Sequence, residues 1–394
     1  MVGGRGVYLS IDYAGHMTRF FITMFACLSA LLCTTGTVAQ DPPSGPSGTA
    51  SVDVFTSGNE GYDTFRIPAV VRAADGSLLA FAEGRVGGRG DSGNIDLVLR
   101  RSVDDGRSWT PLQVVWDDEG NTCGNPCPVL DATTGRLHLL MTRNLGIDHE
   151  SMIINQTSTG TRTVWVATSD DHGVTWSKPV EITSTTKRPD WTWYATGPGN
   201  GIQLRSGEHA GRLMVPCDHI EAGTKKYFSH VIVSDDHGVS WRLAGRTPTD
   251  QVNECAVAEL TDGSLLLNMR NYDRSKRTRA QSRSSDGGAT WSAIERHPGL
   301  PEPICQASMI ATDEGARLVF SNPASSDGRV AMTVRSSDDG GRGWSEGLLL
   351  HAGPSAYSSL VLLDGGQVGC LFECGAGHPY ERIRFTRIDP SALR

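Results

Sequence analysis

An eight-residue word recurs along the chain. It reads SVDDGRSW at Ser102–Trp109, SDDHGVTW at Ser169–Trp176, SDDHGVSW at Ser234–Trp241, SSDGGATW at Ser284–Trp291 and SDDGGRGW at Ser337–Trp344. All five copies fit S-x-D-x-G-x-(T/S/G)-W, and successive copies start 67, 65, 50 and 53 residues apart. Recurrence at this spacing belongs to radial or stacked repeat architectures, in which each unit buries its apolar face against the next. The letters suit a turn: Ser and Asp oxygens close on nearby backbone amides, Gly takes a positive φ, and Trp plugs the gap between strands. A single active site does not need five copies, so the word reads as structural punctuation. The calcium-loop pattern D-x-[DN]-x-[DN]-G-x5-E is absent from it.

A second recurrence pairs a turn with a strand. ADGSLLAFAEGR (Ala74–Arg85), TDGSLLLNMR (Thr261–Arg270) and LDGGQVGCLFE (Leu363–Glu373) each set an Asp-Gly turn before an apolar strand that ends on a charged residue. IDLVLRRS, RLHLLMTRN, TVWVATS, FSHVIVSDD, RVAMTVRSS and RIRFTRID read as further short strands, and sustained helical periodicity is missing. About six repeat intervals fit between Ser51 and Asp389. The expected fold is therefore all-β, a six-bladed β-propeller of four-stranded antiparallel blades. A β-sandwich or a right-handed β-helix tolerates the strands but gives the recurring word no purpose. In a propeller, equivalent strands converge around the axis, which is expected to gather Arg85, Arg270 and Glu373 at one face.

Charge limits the partners. A net charge of −8 over 394 residues argues against a nucleic-acid binder, so an anionic ligand would need a local cluster of Arg or Lys. The start of the chain reads differently. MTRFFITMFACLSALLCTTGTVAQ, from Met17, has a basic opening, an apolar stretch from Phe20 to Cys33 and a Thr-Val-Ala exit. Residues 1–39 are thus expected to be a secretory signal cleaved near Ala39, with Met17 a candidate start. An uncleaved anchor is the alternative, but the apolar run is shorter than the ~20 residues a membrane span needs. No stable span is expected after cleavage, and the chain is expected to be exported, whether to the medium, a periplasm or the cell surface. Residues 40–50 have the composition of a linker, leaving 51–394 as the folded domain. Past the leader stand Cys123, Cys127, Cys217, Cys255, Cys305, Cys370 and Cys374. An odd count in a chain this large is not a disulfide framework, so most are expected to be free or buried thiols, with room for one or two bridges.

FRIPAV opens the folded part, with Arg66 inside F-R-I-P. Together with the repeated Asp-boxes and with AFAEGR, NPCPVLD, ATGPGNGIQL, NECAVAEL, SAYSSL and GCLFE in that order, it resembles the exo-α-sialidases (neuraminidases) of glycoside hydrolase family 33. The resemblance covers essentially all of residues 51–388. It implies a retaining hydrolase that removes terminal sialic acids from glycoproteins, glycolipids and oligosaccharides, with no metal or organic cofactor. Arg66, Arg270 in LNMR and Arg329 in DGRVAMTVRSS match the three arginines that grip the sugar's carboxylate, although Arg335 and Arg342 lie near the third. Arginine suits this task because its planar, permanently charged fork pairs bidentately with a carboxylate. Glu373 matches the carboxylate that holds the first arginine in place.

The resemblance also distributes the chemistry. Tyr357 in SAYSSL matches the family's nucleophile, and a neutral phenol has a physical advantage, since an anionic Asp or Glu would be repelled by the substrate's carboxylate. A phenol needs a base, and Glu254 in NECAVAEL matches that partner. Asp91, on the Gly-rich loop of EGRVGGRGDSGNIDL, matches the general acid/base. Asp96 is its rival, at the start of an alternating strand where it could instead satisfy backbone groups or Arg100 and Arg101. Arg85 and Asn125 match positions that line the pocket around the ring substituents. Where the vertebrate branch of the family carries substrate-contacting aromatic residues after a V-P motif, VPCDHI puts Asp218 and His219. Three alternatives stay open: a glycosidase for a related ulosonic acid, an intramolecular trans-sialidase releasing an anhydro sugar, and a catalytically silent sialoglycan-binding propeller. A pure scaffold would leave the Arg and Tyr motifs without a reason.

Overall fold

The computed structural model describes residues 49–393. The expected leader, residues 1–39, and all but the end of the expected linker lie outside the described residues. The first strand already begins at Ala50. The described chain is all-β. Its α-helices are two short turns, Glu150–Ile154 and Thr183–Thr186, and no helix among the described residues is long and apolar enough to cross a membrane.

Strand pairing resolves into six consecutive antiparallel meanders. The first comprises Thr64–Arg72, Leu78–Arg85, Ile95–Ser102 and Gln113–Trp116, and the second Thr122–Leu130, Leu137–Asn144, Thr163–Ser169 and Val180–Glu181. The third is built from Trp191–Thr196, Leu213–Glu221, Tyr227–Ser234 and Arg242–Arg246, and the fourth from Val252–Glu259, Leu265–Asn271, Thr278–Ser284 and Glu295–Pro301. The fifth runs through Ser308–Thr312, Arg317–Pro323 and Val330–Ser337 into the early part of the long strand Leu348–Leu362. The later part of that strand opens the sixth, which continues through Val368–Cys374 and Arg382–Ile388. Ala50–Thr56 supplies the sixth meander's outer strand, pairing Ala50 with Arg387, so the start of the described chain is bonded to its end.

Burial explains the texture of the sequence. Leu78–Arg85 and Val252–Glu259 are buried at every position, so neither shows the in–out alternation of a half-exposed strand. Outer strands such as Glu295–Pro301 are half open and correspondingly polar.

The recurring word closes the same turn each time. In the second copy, Ser169 Oγ donates to Asp171 Oδ1 at 2.8 Å and accepts from the Gly173 amide at 2.8 Å, while Asp171 also accepts from the amide and hydroxyl of Thr175 at 2.8 and 2.6 Å. Gly173 has φ +79°, and a Cβ there would lie 2.0 Å from Leu79 of the preceding meander. The equivalent glycines, Gly238, Gly288 and Gly341, abut His138, Met214 and Leu266, each again one meander back. Gly106 of the first meander abuts Phe385 of the sixth. The word is thus a clamp between neighbours, and the five contacts link the fifth meander back through the first to the sixth, while the fifth and sixth share the strand Leu348–Leu362. The seven cysteines are buried and unbridged.

Candidate active site

The opening strands of the meanders bring the chemistry together. Five of them break register at comparable places: between Arg66 and Ala69, Gly124 and Cys127, Trp191 and Tyr194, Val252 and Cys255, and Ser355 and Ser358. An extra residue in a strand interrupts alternation and re-aims a side chain. The residues caught in these irregularities include Ile67, Asn125, Trp193, Glu254 and Tyr357, all of which line one cavity of about 210 Å³. Two of them, Ile67 at φ +59° and Asn125 at φ +54°, hold the left-handed conformation. For a β-branched residue such as Ile67 this is unusual backbone, and it persists because the surroundings fix it.

Tyr357 and Glu254 meet inside this cavity. The Tyr357 hydroxyl donates to Glu254 Oε1 at 2.6 Å, and Arg270 Nη1 donates both to Glu254 Oε2 at 2.6 Å and to the Tyr357 oxygen at 3.1 Å. Burial pushes the phenol well above its usual range and Glu254 adds to the effect, while Arg270, Arg329 and Arg66 oppose it. Tyr357 is therefore a neutral phenol with a carboxylate placed to take its proton.

Positive charge surrounds the ring. The guanidinium carbons of Arg66 and Arg329 lie 5.2 and 5.6 Å from the Tyr357 ring centre. Glu373, fully buried, sits behind them. One of its oxygens accepts from Arg66 Nε at 3.3 Å and the Ile67 amide at 2.9 Å, and the other accepts from the Tyr357 amide at 3.0 Å. It therefore ties the backbone of the first and sixth meanders together at the level of the site. Arg329 is held by the Tyr380 hydroxyl at 2.7 Å and the Ile304 carbonyl at 3.1 Å, and the Arg66 guanidinium lies over the Tyr380 ring at 4.0 Å. Nη2 of Arg66 and Nε of Arg270 are buried without a hydrogen-bond partner.

Asp91 reaches this cluster from its loop. Its Oδ1 lies 3.3 Å from Arg66 Nη1 and 2.8 Å from Arg85 Nη1, while the side chain remains 57% exposed. Desolvation works against its charge, but Arg85 and then Arg66 prevail and hold the carboxyl below its usual range. Arg85 is itself buried. It is paired with Glu83 and donates to the carbonyls of Arg89 and Gly90 at 2.6 and 2.9 Å, fastening the loop as well as lining the cavity. Asn125 turns its backbone amide to Glu83 at 2.8 Å and its side-chain oxygen to Thr142 and Arg162.

The rivals fall elsewhere. Asp96 accepts from the Tyr62 hydroxyl at 2.7 Å and does not line the cavity. Arg335 turns to Asn322, and Arg342 bonds within its own box. His219 stacks on Trp191 and pairs with His230, away from the cavity. Asp218 does line it, fully buried, with Oδ1 accepting from Asn253 at 2.6 Å. Glu150, Arg162, Trp193, Tyr272 and Tyr380 also line the cavity, and sequence reading singles out none of them. Burial raises the Glu150 carboxyl, and nearby Asp91 adds to the shift.

Comparison with known proteins points the same way as this geometry. The family model described as a BNR repeat-like domain matches residues 76–370. The sialidase of Micromonospora viridifaciens is 35% identical over 365 residues, covering 88% of this chain but 56% of that protein, so the chain spans little more than half of that relative. The exo-alpha-sialidase of Arthroderma benhamiae is 33% identical over 354 residues, covering 82% of this chain and 81% of the fungal one. The solved structure of the Hadza microbial sialidase Hz136 superposes with a TM-score of 0.79 at 31% identity, over 87% of this chain and 69% of that one. By family model, sequence and fold, the chain belongs to the sialidases with BNR repeats, a family of glycoside hydrolases.

Proposed function

We propose that this protein is a retaining exo-α-sialidase, built as a six-bladed β-propeller and acting on terminal sialic acids of glycoproteins, glycolipids or oligosaccharides. The run of box contacts from each meander to its neighbour, the strand shared by the fifth and sixth, and the pairing of first strand with last support the propeller. The leader-like residues 17–39 support a working place outside the cytoplasm. One observation carries the chemical reading: a phenol bonded to a carboxylate at 2.6 Å lies within one cavity with Arg66, Arg270 and Arg329.

In this reading Arg66, Arg270 and Arg329 receive the sugar's carboxylate, which brings the anomeric carbon over the Tyr357 oxygen. As that oxygen attacks, its proton passes to Glu254 and Asp91 gives a proton to the leaving oxygen, so the glycosidic bond breaks while a tyrosyl–sugar bond forms. The phenol needs no charge before it reacts, so it meets the anionic sugar without repulsion. Asp91, now a carboxylate, takes a proton from water as the water attacks the anomeric carbon. The tyrosyl oxygen leaves and recovers its proton from Glu254. Two inversions give net retention.

Proton NMR of the first product from an unactivated sialyl oligosaccharide tests the proposal. The α-anomer of free sialic acid is expected first. An anhydro sugar would mean intramolecular transfer, and binding with no turnover would mean a lectin.

A further inference from the structure

The loop that carries Asp91 ends at a guanidinium that a carboxylate ligand needs. Arg66 offers two terminal nitrogens to a bidentate partner; Nη2 is buried and unpartnered, and Nη1 is held by Asp91 Oδ1 at 3.3 Å. The same Asp91 oxygen lies 2.8 Å from Arg85. Arg85 has a partner of its own in Glu83, so it stays paired when Asp91 turns away. Asp91 is the exposed member of the three, its side chain more than half open to solvent in the Gly-rich stretch 86–94, whereas Arg66 and Arg85 are buried. The next residue, Ser92, bonds His149 at 2.6 Å and tethers the loop to the segment that carries Glu150.

We propose that Asp91 is a built-in stand-in for the substrate's carboxylate: it occupies Arg66 in the free protein, and only a ligand bearing its own carboxylate evicts it and frees it for the leaving oxygen. This rests on the sialidase reading and adds a specificity role to the acid. A neutral sugar cannot displace an anion from Arg66, so it leaves the proton donor latched.

The exchange has a proton balance. Latched Asp91 is a carboxylate stabilised by Arg85 and Arg66. Arg162 also faces it, as does Glu150 from the short helix across the cavity, and the titratable His149 bonds the adjoining Ser92. When a ligand carboxylate takes Arg66, Asp91 loses one cation and gains an anionic neighbour, and both changes favour its neutral form. Binding should therefore draw up to one proton from solvent onto Asp91, and affinity should rise as pH falls until the ligand's own carboxylate is protonated.

The test is titration calorimetry with the unsaturated dehydro analogue of N-acetylneuraminic acid, which keeps the carboxylate and has no leaving group. Wild type and Asp91→Asn are compared at one pH in two buffers of different ionisation enthalpy. The wild type should take up protons and Asp91→Asn none. The variant, with no internal competitor, should bind roughly two- to fivefold tighter, the range of a partly exposed ion pair. Equal or weaker binding by the variant overturns the proposal, as does uptake that persists in it, which would move the proton to another group such as Glu150 or His149. Binding by wild type without uptake sinks this inference alone, whereas failure of wild type to bind the analogue sinks the sialidase reading with it.

Discussion

Tyr357 and Glu254 lie 103 residues apart and share a 2.6 Å hydrogen bond, with one nitrogen of Arg270 touching both. The three side chains come from the opening strand of one meander and the opening and second strands of another, so the bond exists only once the sheets have assembled. Groups that act as a unit lose their effect together. Tyr357→Phe and Glu254→Gln are each expected to lower kcat on an unactivated sialyl oligosaccharide by about a thousandfold or more. The double variant should fall no further than the worse single one, as steady-state assays of all three will show; additive losses would mean that the residues act separately.

Glu373 places a heavier demand on the fold. Its two oxygens serve three donors, Arg66 Nε and the amides of Ile67 and Tyr357, with no exposure to water. Removing it leaves Arg66 Nε and the amides of Ile67 and Tyr357 buried without their partner. Glu373→Ala should therefore cost about 3–5 kcal/mol in denaturant unfolding. Glu373→Gln has one carbonyl oxygen where two oxygens are needed, so its NH2 must face a donor. It should lose stability and kcat/KM together.

The range of each interaction decides whether the sequence shows it. The turn word is legible because its bonds close within eight residues, from Ser169 to Trp176 for example, and Ser, Asp and Gly at fixed offsets encode them. Arg66, Tyr357 and Glu254 stand in motifs whose resemblance to a known family names them. Glu150 and Arg162 stand in no such motif; they reach the cavity because helix and loop geometry carry them there. The strand breaks that aim Asn125 and Trp193 inward also leave no local mark, since register is a property of two strands. The same holds for the pairing of Ala50 with Arg387, which depends on closure across the whole domain. Arg85 is the instructive case: it does line the cavity, yet its hydrogen bonds go to Glu83 and to the loop that carries Asp91.

Asp91 and Asp96 separate under mutation because their surroundings differ. Burial pushes Asp96 up to about 6, with Asp117 adding and the Tyr62 bond opposing, whereas Asp91 is held low by its arginines. Asp91→Asn should abolish turnover of an unactivated substrate, and Asp96→Asn should retain it. Stability supplies a second contrast. A carboxyl whose folded value lies above its unfolded value contributes stability below the unfolded value, and that contribution is lost as pH rises through about 6. An Asn there is neutral throughout, so Asp96→Asn should melt higher than wild type above pH 6 and converge with it in acid. Thermal melts across that window check the sign, and a deficit for the variant at neutral pH would contradict it.

The box clamp predicts a purely structural defect. Gly173 combines φ +79° with a space already filled by Leu79, whose Cδ2 would sit 2.0 Å from an added Cβ. Leu79 is itself fully buried in the first meander and has little room to retreat. Gly173→Ala therefore meets left-handed strain and overpacking at once, an expected loss of about 2–4 kcal/mol. The site shares no residue with this turn, so turnover per folded molecule should be unchanged. Val174→Ala, one residue on and half exposed, provides the control; it should leave both stability and turnover close to wild type. Unfolding midpoints with active-site titration of the folded fraction decide the matter, since a Gly173→Ala protein of normal stability would mean that the box does not clamp one meander to the next.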